Sequence, residues 1–162
     1  MKILFVCLGN ICRSPAANGV FDALIAENAL AGTLECDSCG TGDWHIGRLP
    51  DARMRAEGAR RGYKFAHRAR QLRREDFSAF DLILVMDEYN FADLLDAAPA
   101  GTDTRKIRKF TDFCTGNFAD LRAVPDPYYG GEKDFAHTLD IIENGCAGLL
   151  DTLMRGDKVL RD

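Results

Sequence analysis

Apolar residues in this chain fall into short unbroken runs, separated by longer stretches where they recur every three or four positions. Ile3-Leu4-Phe5-Val6-Cys7 is such a run, stopped by Gly9, and has the profile of a strand buried on both faces. Ser14-Pro15 then predicts a helix start, with Ser14 as the N-cap and Pro15 in the first turn. Ala17, Val20, Phe21 and Leu24 follow at helical spacing. Thr33 to Ser38 reads as a second strand, and Asp51 to Arg61 as a helix ended near Gly62. Phe80 to Met86 is a third strand, and Asp87 can cap a helix carrying Phe91, Leu94 and Leu95. Lys106 to Phe110 supplies a fourth strand. From Asp134 onward, Phe135, Leu139, Ile142, Cys146, Leu149 and Leu153 outline a long closing helix. Strands separated by helices imply an α/β sandwich with a parallel sheet and helices on both faces. Ligands of such sheets bind outside the carboxyl ends of the strands, which draws attention to Cys7 to Ser14.

Composition narrows the class. The 162 residues are 46% hydrophobic and 28% charged, consistent with one domain over residues 1–162 that buries a sizeable core unaided. A net charge of −4 argues against bulk attraction to nucleic acid or an anionic membrane. The apolar run Ile3 to Leu8 is too short for a membrane span or a signal-peptide core, so a cytoplasmic protein with six free thiols is expected. The charges are unevenly spread. Residues 53–74 carry eight Arg, one Lys and one Glu, whereas residues 75–104 carry eight acids and no Lys or Arg. The basic block reads as a solvated helix face and loop, or as a field steering acidic phosphopeptides.

The candidate chemistry lies in Cys7-Leu8-Gly9-Asn10-Ile11-Cys12-Arg13-Ser14-Pro15. A Cys with Arg six places later is weak by itself, since this composition yields roughly 0.6 such pairs by chance. Its setting between a strand and a helix is what informs. Gly9 and Asn10 enter positive-φ conformations readily and let a loop turn its amides inward as an anion nest. The helix start adds free N–H groups and a positive dipole end. Surroundings of that kind favour a thiolate, Ser14 could donate to the same sulfur, and Arg13 offers a planar fork for two phosphoryl oxygens. Together they suit phosphoryl transfer by thiol attack, and Asp126, in Asp126-Pro127-Tyr128-Tyr129-Gly130-Gly131, could protonate the leaving oxygen.

These two segments resemble the phosphate-binding loop and the general-acid loop of the low-molecular-weight protein tyrosine phosphatases. Asp37-Ser38, Gly42 to Gly47, His67 to Gln71 and Met86 to Asn90 match in order between them. The resemblance implies a three-layer sandwich around a four-stranded parallel sheet of order 2-1-3-4, Rossmann- or flavodoxin-like. It implies hydrolysis of phosphotyrosine in proteins, with Cys7 as nucleophile and Arg13 as ligand of the equatorial oxygens. Asp126 would act as acid and then base. The amides of Leu8, Gly9, Asn10, Ile11, Cys12, Arg13 and Ser14 would bind phosphate, with Asn10, Ser14, Ser38 and His67 supporting the loop. Trp44, Tyr128 and Tyr129 would wall the cleft, and Cys12 could form a reversible disulfide with Cys7. No cofactor or metal is implied. Partners would be tyrosine-phosphorylated proteins, with inorganic phosphate as product and inhibitor, and the chain would act as a monomer.

Cys39 departs from the family pattern, in which a small residue is usual. It creates a Cys36-x-x-Cys39 pair, yet Cys114, Cys146 and the three histidines are scattered in sequence, unlike a zinc site; Cys36, Cys114 and Cys146 are expected in the core. The alternatives are related enzymes and a binder. Arsenate reductases of this fold use a relay of further cysteines that residues 75–100 lack. Protein-arginine phosphatases typically carry Thr where Ile11 stands. The presence of both Cys7 and Asp126 argues against a non-catalytic phosphate-binding or thiol-redox regulator, since a binder needs neither nucleophile nor acid.

Overall fold

A computed structural model describes residues 1–160. Four parallel strands, β1 (Lys2–Cys7), β2 (Glu35–Gly40), β3 (Leu82–Val85) and β4 (Ile107–Lys109), form one sheet in the order β2-β1-β3-β4. The helices are α1 (Arg13–Glu27), α2 (Ala52–Arg60), α3 (Asp76–Ala79), α4 (Glu88–Ala97) and α5 (Glu132–Arg155). This is the expected three-layer arrangement and strand order.

Strand alternation builds the layers, because successive side chains leave opposite faces of a strand. Ile3, Phe5 and Cys7 of β1 join α1 and α5 in a large core with Val20, Phe21, Leu139 and Ile142. Leu4 and Val6 face the other way, into a smaller cluster with Phe77 of α3 and Leu94 of α4. β1 is therefore apolar at consecutive positions because both faces are covered. Phe5 sits edge-on between Phe21 at 5.8 Å and Phe110 at 6.0 Å, which fixes the strand that carries Cys7.

The observed second strand begins and ends two residues later than its sequence signal. In that register Cys7 pairs with Gly40, bringing the end of β2 under the following loop. A Cβ on Gly40 would lie 2.7 Å from the Leu8 carbonyl oxygen, so only glycine permits this approach. The α3 turn was not anticipated; four residues give helical periodicity too little length to register.

Candidate active site

The loop after β1 spends its carbonyls on the structure behind it. Thr41 N–H donates to Cys7 O at 3.0 Å, Gly42 N–H to Leu8 O at 2.9 Å and Asp51 N–H to Ile11 O at 2.8 Å. Among the described residues the N–H groups of Leu8, Gly9, Asn10, Ile11 and Cys12 donate to no backbone carbonyl. Their donor capacity is thus kept for a ligand at the N-terminal end of α1, a favourable place for an anion. Asn10 takes the positive φ, 53°. Gly9 does not, and its lack of a side chain serves a different purpose: a Cβ there would lie 3.0 Å from the His45 ring.

Ser14 does not cap the helix as its sequence position suggests. Cys12 occupies the N-cap without a side-chain bond, and Ser14 lies inside the first turn, fully buried. Its Oγ is 3.0 Å from Cys7 Sγ, accepts from Asn10 Nδ2 at 2.8 Å and donates to Cys39 O at 3.2 Å. A capping side chain would occupy the amides an anion needs; here those amides stay free and the hydroxyl reaches the sulfur instead. With Cys7 ionised, the hydroxyl proton can turn from Cys39 O to the sulfur, since a hydroxyl rotates to suit its acceptor.

Asn10 ties the loop to its neighbours. Its Nδ2 also donates to Ser38 Oγ at 3.0 Å, and its Oδ1 accepts from Arg70 N–H at 2.9 Å. Arg70 in turn holds Asp37 at 2.8 Å and Asp76 at 2.9 Å. His67 Nδ1 stands 3.6 Å from Asp37 Oδ1, and its Nε2 is buried without a partner among the described residues. Burial is the main cause that holds the His67 pKa below its usual value.

Arg13 is the buried cation of the site. Its Nη1 donates to Asp87 Oδ2 at 2.6 Å and to Val124 O at 3.1 Å, and its Nη2 to Asp126 Oδ2 at 3.2 Å. Burial opposes the charge, but Cys7, Asp126 and Asp87 outweigh it and hold the guanidinium above its ordinary pKa. Asp87 also caps α4, accepting from Asn90 N–H at 2.8 Å. Only that capping role was legible in the sequence. The tether to Arg13 spans 74 residues of chain, and no local pattern announces it.

Asp126 reaches the site on a segment docked by Val124 N–H, which donates to Met86 O at 2.8 Å. The carboxylate also accepts from Tyr128 N–H at 3.2 Å. Cys7, Leu8, Gly9, Ile11, Cys12, Arg13, Trp44, His45, Asp126, Tyr128 and Tyr129 line one cavity of about 380 Å³. Ser14, Asn10, Ser38 and His67 stand behind it. Tyr128 and Tyr129 meet edge-on at 5.0 Å, and the His45 ring lies 6.3 Å from Tyr128. His45 received no role from the sequence, although the block Gly42 to Gly47 that contains it matched; its place on the cleft wall comes from its contacts with Gly9 and Tyr128.

A family model described as low molecular weight phosphotyrosine protein phosphatase matches residues 2–159. The chain belongs to that family. A Synechocystis protein named after the same phosphatase is 48% identical over 94% of this chain and 96% of its own length. A protein tyrosine phosphatase from Entamoeba histolytica, solved with Hepes in its active site, superposes with a TM-score of 0.90 at 46% identity, covering 96% of this chain and 98% of that one. A Drosophila arginine phosphatase superposes with a TM-score of 0.86 at 30% identity, covering 94% and 98%.

Within this low molecular weight protein-tyrosine phosphatase the six cysteines are all unpaired. Cys36 and Cys39 lie three apart on β2 and so face opposite sides of the sheet, Cys36 against the larger core and Cys39 inside the smaller. Among the described residues no group of three or more His, Cys, Asp or Glu side chains is arranged to hold a metal ion. Cys36 is less apolar in its surroundings than expected: it donates to Asp22 Oδ1 at 3.2 Å and accepts from Asn18 at 3.3 Å. Cys12 is kept a thiol by burial and then by Asp51, which push its pKa up. Burial also raises Cys114 to about 11. Among the described residues no helix is long and apolar enough to cross a membrane.

Proposed function

We propose that this phosphatase hydrolyses phosphotyrosine in proteins by a two-step transfer through Cys7. The Cys7 thiolate attacks phosphorus and the bond to the tyrosine oxygen breaks. As that bond breaks, the Asp126 carboxyl gives its proton to the departing phenolate. Asp126, now a carboxylate, takes a proton from water as that water attacks the phosphocysteine, releasing phosphate and restoring the thiolate. The observation that carries this reading is the convergence of three groups on one cavity: Cys7 Sγ beside Ser14 Oγ at 3.0 Å, the Arg13 fork, and Asp126 at 3.2 Å from that fork.

Electrostatics suits the task. The loop amides and the end of α1 present donors to three equatorial oxygens, and Arg13 adds a planar pair. In the free site Arg13 Nη2 is engaged by Asp126. A bound dianion takes over that donor and frees Asp126 for the leaving oxygen. Trp44, Tyr128 and Tyr129 offer ring faces to an aryl ester and nothing comparable to a serine phosphate. The likeness to the Drosophila arginine phosphatase keeps phosphoarginine as a second substrate class, and Ile11 together with those three rings favours the aryl one.

The same reading takes the chain as one catalytic domain, acting as a monomer in the cytoplasm, where a reducing environment preserves six thiols. Phosphate, as product, competes for the loop. When a peroxide oxidises Cys7 to a sulfenic acid, the Cys12 thiol displaces water to give a disulfide, which a cellular thiol reduces back to Cys7 and Cys12. The deciding experiment is a panel on the purified protein without added metal: phosphotyrosine, phosphoserine and phosphoarginine peptides, with arsenate reduction alongside. Phosphotyrosine turnover dominates if the reading holds; preference for phosphoarginine or for arsenate overturns it.

A further inference from the structure

Arg53 belongs to the basic block that neither the fold nor the catalytic residues absorb. At the start of α2 the Asp51 N–H donates to Ile11 O at 2.8 Å, fastening α2 to the phosphate loop. Asp51 caps the helix through Arg53 N–H at 2.9 Å and grips the Arg53 guanidinium through both oxygens, Oδ1 to Nε at 3.0 Å and Oδ2 to Nη2 at 2.9 Å. The other edge of the guanidinium crosses to the acid loop: Nη2 donates to Tyr128 O at 3.1 Å and Nη1 to Gly130 O at 3.5 Å. Its Cζ lies over the Phe135 ring, 4.5 Å from the centroid, and 5.7 Å from that of Tyr128. Tyr128 N–H is the donor to Asp126 Oδ1, so one residue carries both the carbonyl that Arg53 holds and the amide that orients the acid.

The bonds close a circuit. It runs from Ile11 in the phosphate loop to Asp51, Arg53, Tyr128 and Asp126, and returns to the loop through Arg13. One of its links, Arg53 to Asp51, is a charged pair with forked geometry, which resists rotation better than a single bond. We propose that Arg53, braced by Asp51, is a positioning residue that sets the place of the Asp126 carboxylate over the phosphate loop. It touches neither substrate nor reacting atoms; it acts through Asp126. The inference rests on the acid role of Asp126 proposed above.

Positioning of the acid has a signature that mere stabilisation lacks, since protonation matters most when the leaving oxygen is basic. The test is kcat/KM for phenyl phosphate and 4-nitrophenyl phosphate in wild type, Arg53→Ala, Asp126→Ala and the double variant, with thermal melts to match folded fractions. Arg53→Ala should cost about tenfold on phenyl phosphate and at most about twofold on 4-nitrophenyl phosphate. In the Asp126→Ala background the same change should add less than about twofold, because the two act in series. Arg53→Lys, which keeps a donor for Tyr128 O but cannot fork onto Asp51, should recover part of the loss and covers the case in which the alanine variant folds poorly. Equal losses on both esters, or an undiminished loss without Asp126, overturn the positioning role. If wild type and Asp126→Ala share one leaving-group dependence with Arg53 intact, the acid assignment itself fails and takes the role of Arg53 with it.

Discussion

The phosphate loop and the acid loop face each other across one cavity and are built on opposite principles. In the first, Asn10, Arg13 and Ser14 are 1%, 3% and 0% exposed, and the side chain of each makes three hydrogen bonds. In the second, the Asp126 side chain is 43% exposed and Tyr129 is 98% exposed, held mainly through backbone groups and the Arg53 contact. The difference follows from what each must do. Stabilising a transferring phosphoryl group demands donors fixed before the reaction, because reorganising them would consume the benefit. The acid must exchange protons with water and let a peptide in and out, which a buried carboxylate does poorly.

That contrast ranks the expected effects of substitution. Cys7→Ser should lower aryl phosphate turnover by at least about 10⁴-fold while phosphate still binds; turnover near wild type ends the thiol mechanism. Arg13→Lys keeps a charge but loses the fork, and kcat should fall about 10²–10³-fold. Asp126→Ala should slow phenyl phosphate by about 10²-fold and 4-nitrophenyl phosphate by less than about tenfold, so a common factor across both contradicts its role as acid. Asn10→Ala removes donors to Ser14 and Ser38 and the acceptor for Arg70, and should cost about 2–3 kcal/mol of stability in a denaturant titration. Tyr129→Ala, on the open side, should change KM for a phosphotyrosine peptide by less than about fivefold and leave the melting temperature unmoved. A loss there as large as that of Asn10 would erase the distinction between the two loops.

A subtler effect belongs to the support behind the phosphate loop. His67 has its pKa lowered on folding, chiefly by burial, so the unfolded chain binds a proton the native state resists. Its contribution is therefore intact above the ordinary histidine value of 6.5 and lost as pH falls through the lower native value. Thermal melts from pH 8 to pH 5 should show destabilisation setting in as pH falls below 6.5, and His67→Asn should flatten the slope. Equal slopes in the two proteins would remove His67 from the balance.

Much of this was legible because it is local. The runs at Ile3 to Cys7 and Phe80 to Met86 declare buried strands through consecutive apolar residues, and the spacing from Phe135 to Leu153 declares α5. The candidate site was legible for the same reason, since Cys7, Asn10, Arg13 and Ser14 share one strand–loop–helix unit. What escaped depends on contacts distant in sequence. Asp87 reads as a helix cap until Arg13 is seen against it, and His45 gains its place only from Gly9 and Tyr128. The basic block reads as solvated surface or a steering field. In the structure Arg53, Arg61 and Arg70 spend their charge on Asp51, Glu57, Asp140, Glu143, Asp37 and Asp76, linking α2 to α5 and bracing the site. Charge runs conceal such pairings because the partners lie elsewhere in the chain. Ser14 misled in the opposite direction: a good capping residue at a helix start was diverted to the sulfur of Cys7.

The central claim is that phosphate passes through Cys7 before water receives it. Mixing the enzyme with excess phosphotyrosine peptide, quenching within milliseconds and mapping the adduct by mass spectrometry tests this directly. A phosphoryl group on the fragment containing Cys7, formed as fast as tyrosine is released and longer lived in Asp126→Ala, is the predicted result. Tyrosine release at full rate with no adduct on Cys7 in either protein would contradict it.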